Sequence, residues 1–278
     1  MTSLTDIYDK TNIITSRQNP FVVALAKLSD KKHRDAEGLF LVDGIKLVRE
    51  AASSDLTVEH VILREDALDL YGDFVAQELS GARINVLSAS AFERVTDEKS
   101  PQGIIAAVRY SDSVKCACTS ASELPEGQLL MLDAIQNPDN FGAVMRSASA
   151  FGVKGAVCGV GCADVYSRRV MRASMGAALR VGCIISDDLT SLCRDVTASG
   201  RRIVATVPRE GASIVYDFKF RDDDIIVIGN EGHGISDGVL ECASEAVYVP
   251  MEKGQESLNA AVAASVILYE MYRQKHSK

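Results

Sequence analysis

Ile225-Ile226-Val227-Ile228-Gly229-Asn230-Glu231-Gly232-His233-Gly234-Ile235 passes directly from a wholly apolar run into a glycine-rich loop. Four apolar residues stopped by turn formers read as a buried strand. Three glycines after it let backbone approach a ligand closely. Working outward, the same transition recurs twice. Leu129–Leu132 precedes Asn137-Pro138-Asp139-Asn140-Phe141-Gly142, which runs on to Arg146, and Ala246–Val249 precedes Pro250-Met251 and then Glu256-Ser257-Leu258-Asn259. A parallel sheet gathers all three segments at one edge, which makes that edge the candidate active site.

Further apolar runs, 156–160, 182–185 and 203–207, complete a set of strands. Helical spacing fills the gaps at 141–151, 167–179, 189–198 and 258–273. Near-continuous apolar strands between amphipathic helices predict an α/β fold, a mostly parallel sheet with helices on both faces. Upstream, a helix over 19–31, a strand over 39–42 and further alternation to a strand over 103–108 predict a small α/β domain. Residues 111–126, rich in Ser, Glu, Pro and Gly, read as a linker. The expected division is therefore 1–110, 111–126 and 127–278.

The chain has 278 residues and 47% hydrophobic content, enough for two cores of ordinary size. Its longest apolar stretch is too short to span a membrane and its first thirty residues are too charged for a secretory signal, so a cytoplasmic location is expected. Seven cysteines without a Cys-x-x-Cys pair read as reduced thiols rather than a metal site, although Cys116 with Cys118, or Cys158 with Cys162, could bind metal. A net charge of −8 argues against coating nucleic acid by bulk attraction. Local charge differs. Between Arg17 and Arg49 seven basic residues face four acidic ones, and Arg168 to Arg180 holds four arginines and no acid.

The turn at Asn137–Gly142 has neither G-x-G-x-x-G nor a Walker lysine, so a dinucleotide or P-loop site is disfavoured. Its short amides suit a helix cap as well as a ligand. Arg146, one turn into the next helix, could grip a phosphate or stay solvated. His233 could accept a proton or be loop surface. Ser257 is a natural helix cap, whereas Asn259 is better explained by an amide facing a ligand. Arg168 and Arg172 share a helix face and read as exposed.

Together and in this order, the three segments resemble the signature motifs of the SpoU-type (TrmH-like) RNA ribose 2'-O-methyltransferases of the knotted SPOUT superfamily. Arg172-Ala173-Ser174-Met175-Gly176 looks like the middle region of that family. Ser16-Arg17-Gln18-Asn19-Pro20 and Phe40-Leu41-Val42-Asp43-Gly44 resemble the ribosomal-protein-like (L30e-like) substrate-binding domain that often precedes it, where glutamate is commoner than Asp43. The resemblance implies S-adenosylmethionine as methyl donor, held bent in the cleft of a deep trefoil knot. It implies cofactor contacts from Thr206, Val207, Gly229, Asn230, Gly234, Val249, Met251 and Leu258. Arg146, Asn137, Glu231, Ser257 and Asn259 become the catalytic group. Arg17, Lys31, Lys32, Arg34, Arg168 and Arg172 become RNA contacts. The implied partners are ribosomal or transfer RNA and a second copy of the chain, with no DNA, membrane or metal. Two other readings stand beside it: a catalytically silent RNA-binding protein of the same fold, and an α/β enzyme acting on a small nucleotide.

Overall fold

The computed structural model describes residues 13–112, 117–208, 211–254 and 257–277. The described residues fall into two compact units, one within Met1–Ser111 together with Tyr166–Arg172, the other within Asp112–Val165 together with Ala173–Lys278.

In the first unit, Asn19 caps α1 (Pro20–Lys27) by accepting from the Phe21 N–H, and proline occupies the first helical turn, where its missing N–H costs nothing. The single helix expected over 19–31 is two. The chain turns extended at Asp30, whose side chain caps α2 (Lys31–Glu37), and α2 stops at Gly38 in the left-handed conformation. There follow β1 (Leu39–Asp43), α3 (Ile45–Ala52), β2 (Val58–Arg64), α4 (Leu68–Glu78), β3 (Arg83–Leu87), α5 (Ala89–Glu93) and β4 (Ile104–Arg109). The sheet order is β1-β4-β2-β3, with β4 antiparallel to both neighbours and β2 parallel to β3. Val22, Leu25, Leu41, Ile62, Phe92 and Ile105 form one core cluster of this unit. Tyr166 stacks on Phe40 with ring centres 4.1 Å apart.

The second unit runs β5 (Leu129–Leu132), α6 (Pro138–Ala150) and β6 (Ala156–Cys158). After α7 (Arg168–Ser174), which belongs to the first unit as far as Arg172, come α8 (Ala177–Val181), β7 (Cys183–Ile185), α9 (Leu189–Ala198), β8 (Ile203–Thr206) and β9 (Ser213–Ile214). The chain ends with β10 (Ile225–Ile228), α10 (Asp237–Leu240), β11 (Glu245–Tyr248) and α11 (Ala260–His276). Among the described residues the sheet order is β7-β6-β5-β10-β8-β11-β9 and every pair is parallel. Side chains alternate between faces. Leu129, Met131, Ile225 and Val227 pack with Leu192, Cys193 and Val196 of α9, while Leu130, Leu132, Ile226 and Ile228 are buried on the other face.

Two further expectations need correction. The helix read over 167–179 is broken, because Met175 and Gly176 adopt φ of 50° and 79°. The break sits where α6 comes closest: a Cβ added at Gly142 would lie 2.4 Å from the Ala173 Cβ. Residues 117–126 are not a free linker, since Cys118 and Leu124 are buried in the second core and Ser120 and Glu123 cap a short 3-10 turn reciprocally. The short strand β9 carried no apolar run and was not expected. Among the described residues no helix is long and apolar enough to cross a membrane.

Candidate active site

The carboxyl ends of β5, β10, β8 and β11 lie side by side, and the three segments leave the sheet there. After β10 the backbone folds back on itself. Asn230 and Gly234 exchange N–H to C=O hydrogen bonds of 2.9 Å in both directions. The closure requires glycine at 229, where a Cβ would lie 2.3 Å from the Gly234 carbonyl carbon. The Asn230 side chain organises this loop. Its Oδ1 accepts from the N–H of Gly232 at 2.8 Å and of His233 at 3.1 Å, and its Nδ2 donates to the Ala134 carbonyl at 2.7 Å. Asn230 therefore offers a ligand its position and backbone rather than its amide.

A chain of side-chain hydrogen bonds joins the three segments. Asn140 Nδ2 donates to Glu231 Oε1 at 2.9 Å, Asn259 Nδ2 donates to Asn140 Oδ1 at 2.9 Å, and the Asn137 N–H reaches Glu231 Oε1 at 3.4 Å. Burial pushes the Glu231 carboxyl up. Hydrogen bonds from the Asn140 side chain and from the backbone of Glu231 itself, Asn137 and Gln136 outweigh burial and hold the group below the usual glutamate range. Glu231 is thus an anion at neutral pH.

Asn140 is the middle of this chain, and a short amide in a turn gives no sign in sequence of which neighbour it will join. Asn137 takes the capping reading of the turn: its Oδ1 accepts from the Asp139 N–H at 2.8 Å and caps α6. Ser257 and Asn259 exchange roles as well. The cap of α11 is Asn259, whose Oδ1 accepts from the N–H groups of Ala261 and Val262, while Ser257 stands exposed at the rim of the cleft. Arg146 is exposed on α6, and no hydrogen bond or ion pair engages its guanidinium among the described residues.

The cleft measures about 440 Å³ and lies wholly within the second unit. Thr206, Val207, Gly229, Asn230, Gly234, Val249, Met251 and Leu258 all line it, together with Glu231, Leu240 and Ile267. Its lining is mainly apolar side chains and glycines at strand ends, with Thr206, Asn230, Glu231, His233, Tyr248 and Ser257 as polar groups. Such a lining suits a flat heterocycle and a cationic group. Among the described residues no lysine lines it, as a polyphosphate site would favour.

The basic residues singled out divide by exposure. Arg34 is 4% exposed and its Nη1 donates to the carbonyls of Leu28 and Ser29. Arg168 is also not the exposed group expected: its side chain is 9% exposed and donates to Asp97 and to the Val95 carbonyl. Both hold the first unit together. Arg172 is more open but pairs with Asp97 and Glu98. Arg17, Lys31 and Lys32 remain at the surface, the first two beside Glu93 and Asp35. The cysteines among the described residues are free thiols, and Cys116 lies outside them. Burial pushes Cys162 up to about 11 and Cys193 up to about 12, which leaves both neutral.

Residues 127–269 match the model of the SpoU rRNA Methylase family. The chain belongs to that family. Residues 19–106 match a second model, the MRM3-like substrate binding domain. The chain is 30% identical over 259 residues to the 23S rRNA (guanosine(2553)-2'-O)-methyltransferase RlmP of Bacillus subtilis, covering 93% of this chain and 98% of that one. Among solved structures it is similar to a Porphyromonas gingivalis protein assigned to the TrmH family of RNA methyltransferases, with 27% identity and a TM-score of 0.80 over 91% of this chain and 97% of the other. It is also similar to an RNA 2'-O ribose methyltransferase, with 27% identity and a TM-score of 0.76 over 94% and 98%. Each of these three matches spans more than nine-tenths of both chains.

Proposed function

We propose that this SpoU-family chain transfers a methyl group from S-adenosylmethionine to a ribose 2'-hydroxyl of structured RNA, ribosomal or transfer. The observation that carries the reading is the Glu231–Asn140–Asn259 chain, which ties all three motifs together beside one cleft. The naming of RlmP and of the solved 2'-O ribose methyltransferase supports the same chemistry.

The cleft suits the cofactor. Gly229 lines the cleft at the end of β10, apolar walls suit adenine, and the Glu231 carboxylate suits a sulfonium. S-adenosylmethionine supplies the electrophilic methyl group. The chain's own residues position the nucleophile. A guanidinium offers only donors, so Arg146 serves as a two-pronged clamp on a neighbouring phosphate, lowering the hydroxyl's pKa by its field, rather than as a proton acceptor. Ser257 orients the hydroxyl. Asn259 and Asn140 act one layer behind, fixing the relative positions of α11, α6 and the glycine loop, because positioning dominates a two-centre displacement.

The first unit supplies RNA affinity through Arg17, Lys31 and Lys32, with shape and unpaired bases selecting the site. The family resemblance also carries a deep trefoil knot for the second unit, an L30e-like fold for the first, a cytoplasmic location and a homodimer. Exposed Val262, Val266 and Tyr269 on α11 support the dimer. The decisive assay is methyl transfer to RNA by wild type and by Arg146→Ala, with cofactor affinity measured in parallel. The reading requires lost transfer and retained binding.

A further inference from the structure

The glycine loop presents a physical problem. A segment with glycines at 229, 232 and 234 has a high conformational entropy, yet it must hold its backbone against a cofactor. Its internal Asn230–Gly234 pairing fixes its shape but not its place. Its place is fixed by one short stretch, the exit from β5. The Asp133 side chain, only 9% exposed, accepts from the Ser236 N–H at 2.7 Å, and the Ala134 carbonyl accepts from Asn230 Nδ2 at 2.7 Å. Ala134 holds φ of 54°, a left-handed conformation that a non-glycine residue adopts only when its surroundings enforce it. Farther along the same stretch, the Asn137 N–H and the Asn140 side chain hold Glu231. The loop is therefore anchored at its start, its tip and its end.

Asp133 is the anchor at the end, and it does not line the cleft. Ser236, which it holds, is the cap residue of α10 and makes no side-chain cap bond of its own. Without the carboxylate the Ser236 N–H would lose a charge-assisted bond in a shielded position. The end of the loop at Ser236 could then open away from the exit of β5. We propose that Asp133 is a positioning residue for the methyl-donor site: it preorganises the 229–236 loop so that the cofactor does not have to order it on binding. This rests on the methyltransferase reading for the identity of the ligand, but the anchoring itself does not.

The test uses the full chain with Asp133→Ala and Asp133→Asn. Asparagine keeps an acceptor oxygen of the same reach; alanine does not. Two quantities are read: amide hydrogen exchange of residues 230–236 without ligand, and the dissociation constant of S-adenosylmethionine by calorimetry. The expected result is faster exchange in that loop alone for Asp133→Ala, with cofactor binding about tenfold weaker, and both quantities within about threefold of wild type for Asp133→Asn. Should Asp133→Ala not fold, Asp133→Asn and Asp133→Ser still decide: native exchange in the serine variant, whose hydroxyl is too short to reach, contradicts the proposal. Unchanged loop exchange in Asp133→Ala, or weakened binding spread over an exchange increase throughout the chain, also overturns it. Failure of the wild type to bind S-adenosylmethionine would instead sink the methyltransferase reading, and the exchange data would still judge the anchor.

Discussion

Asn259 makes two contacts through different atoms. Its Oδ1 caps α11 and its Nδ2 reaches Asn140. Asn259→Ser should keep a cap and so keep stability within about 0.5 kcal/mol, whereas Asn259→Ala should lose about 1 kcal/mol. Both should lose methyl transfer at least tenfold, because alanine has no donor and the shorter serine hydroxyl does not reach Asn140; chemical denaturation and a turnover assay separate the two effects. Asn140→Ala should lower kcat with little change in cofactor affinity. Glu231 adds a pH dependence. Its folded pKa lies below the ordinary value of 4.5, so its contribution to stability is complete above that value and is lost as pH falls through the depressed one. Glu231→Gln should flatten the acid limb of a stability profile, and an unchanged limb would assign that limb to other carboxylates.

At the scale of elements, strands were legible because buried parallel strands are short apolar runs, and Leu129–Leu132 and Ile225–Ile228 have the bounds expected of them. Helix interruptions were not legible. Nothing in Ala173-Ser174-Met175-Gly176 announces that Met175 turns left-handed, since that depends on how closely α6 approaches. The cap of α11 was misplaced for a related reason: serine and asparagine both cap well, and only the chain path decides between Ser257 and Asn259. The same close approach gives a prediction. Gly142→Ala should cost about 1–3 kcal/mol by overpacking against Ala173, seen as a lower denaturation midpoint, and a neutral effect would show that the contact yields easily.

At the scale of the whole molecule, the candidate site was largely readable, because its parts are loops that follow apolar strands and a parallel sheet has only one carboxyl edge. Its wiring was not. Asn140 bridging Glu231 and Asn259, over 91 and 119 positions of sequence, leaves no local signal. Exposure was misjudged for the converse reason, since Arg34 and Arg168 look solvated in sequence and are buried by tertiary contacts. The narrowed patch predicts that Lys31→Glu with Lys32→Glu weakens RNA binding and makes its salt dependence shallower by roughly one to two counterions, while S-adenosylmethionine binding stays native. An unchanged salt slope would move the RNA elsewhere.

The most direct measurement of the central claim is methylation of rRNA by the full chain with isotopically labelled S-adenosylmethionine, followed by nuclease digestion and mass analysis of the nucleosides, for wild type and Arg146→Ala side by side with cofactor calorimetry. The predicted result is label in a single 2'-O-methylnucleoside with wild type, at least a hundredfold less with Arg146→Ala, and equal cofactor affinity in both. Label on a base, no label with competent RNA from cells lacking the protein, or full activity in Arg146→Ala would contradict it.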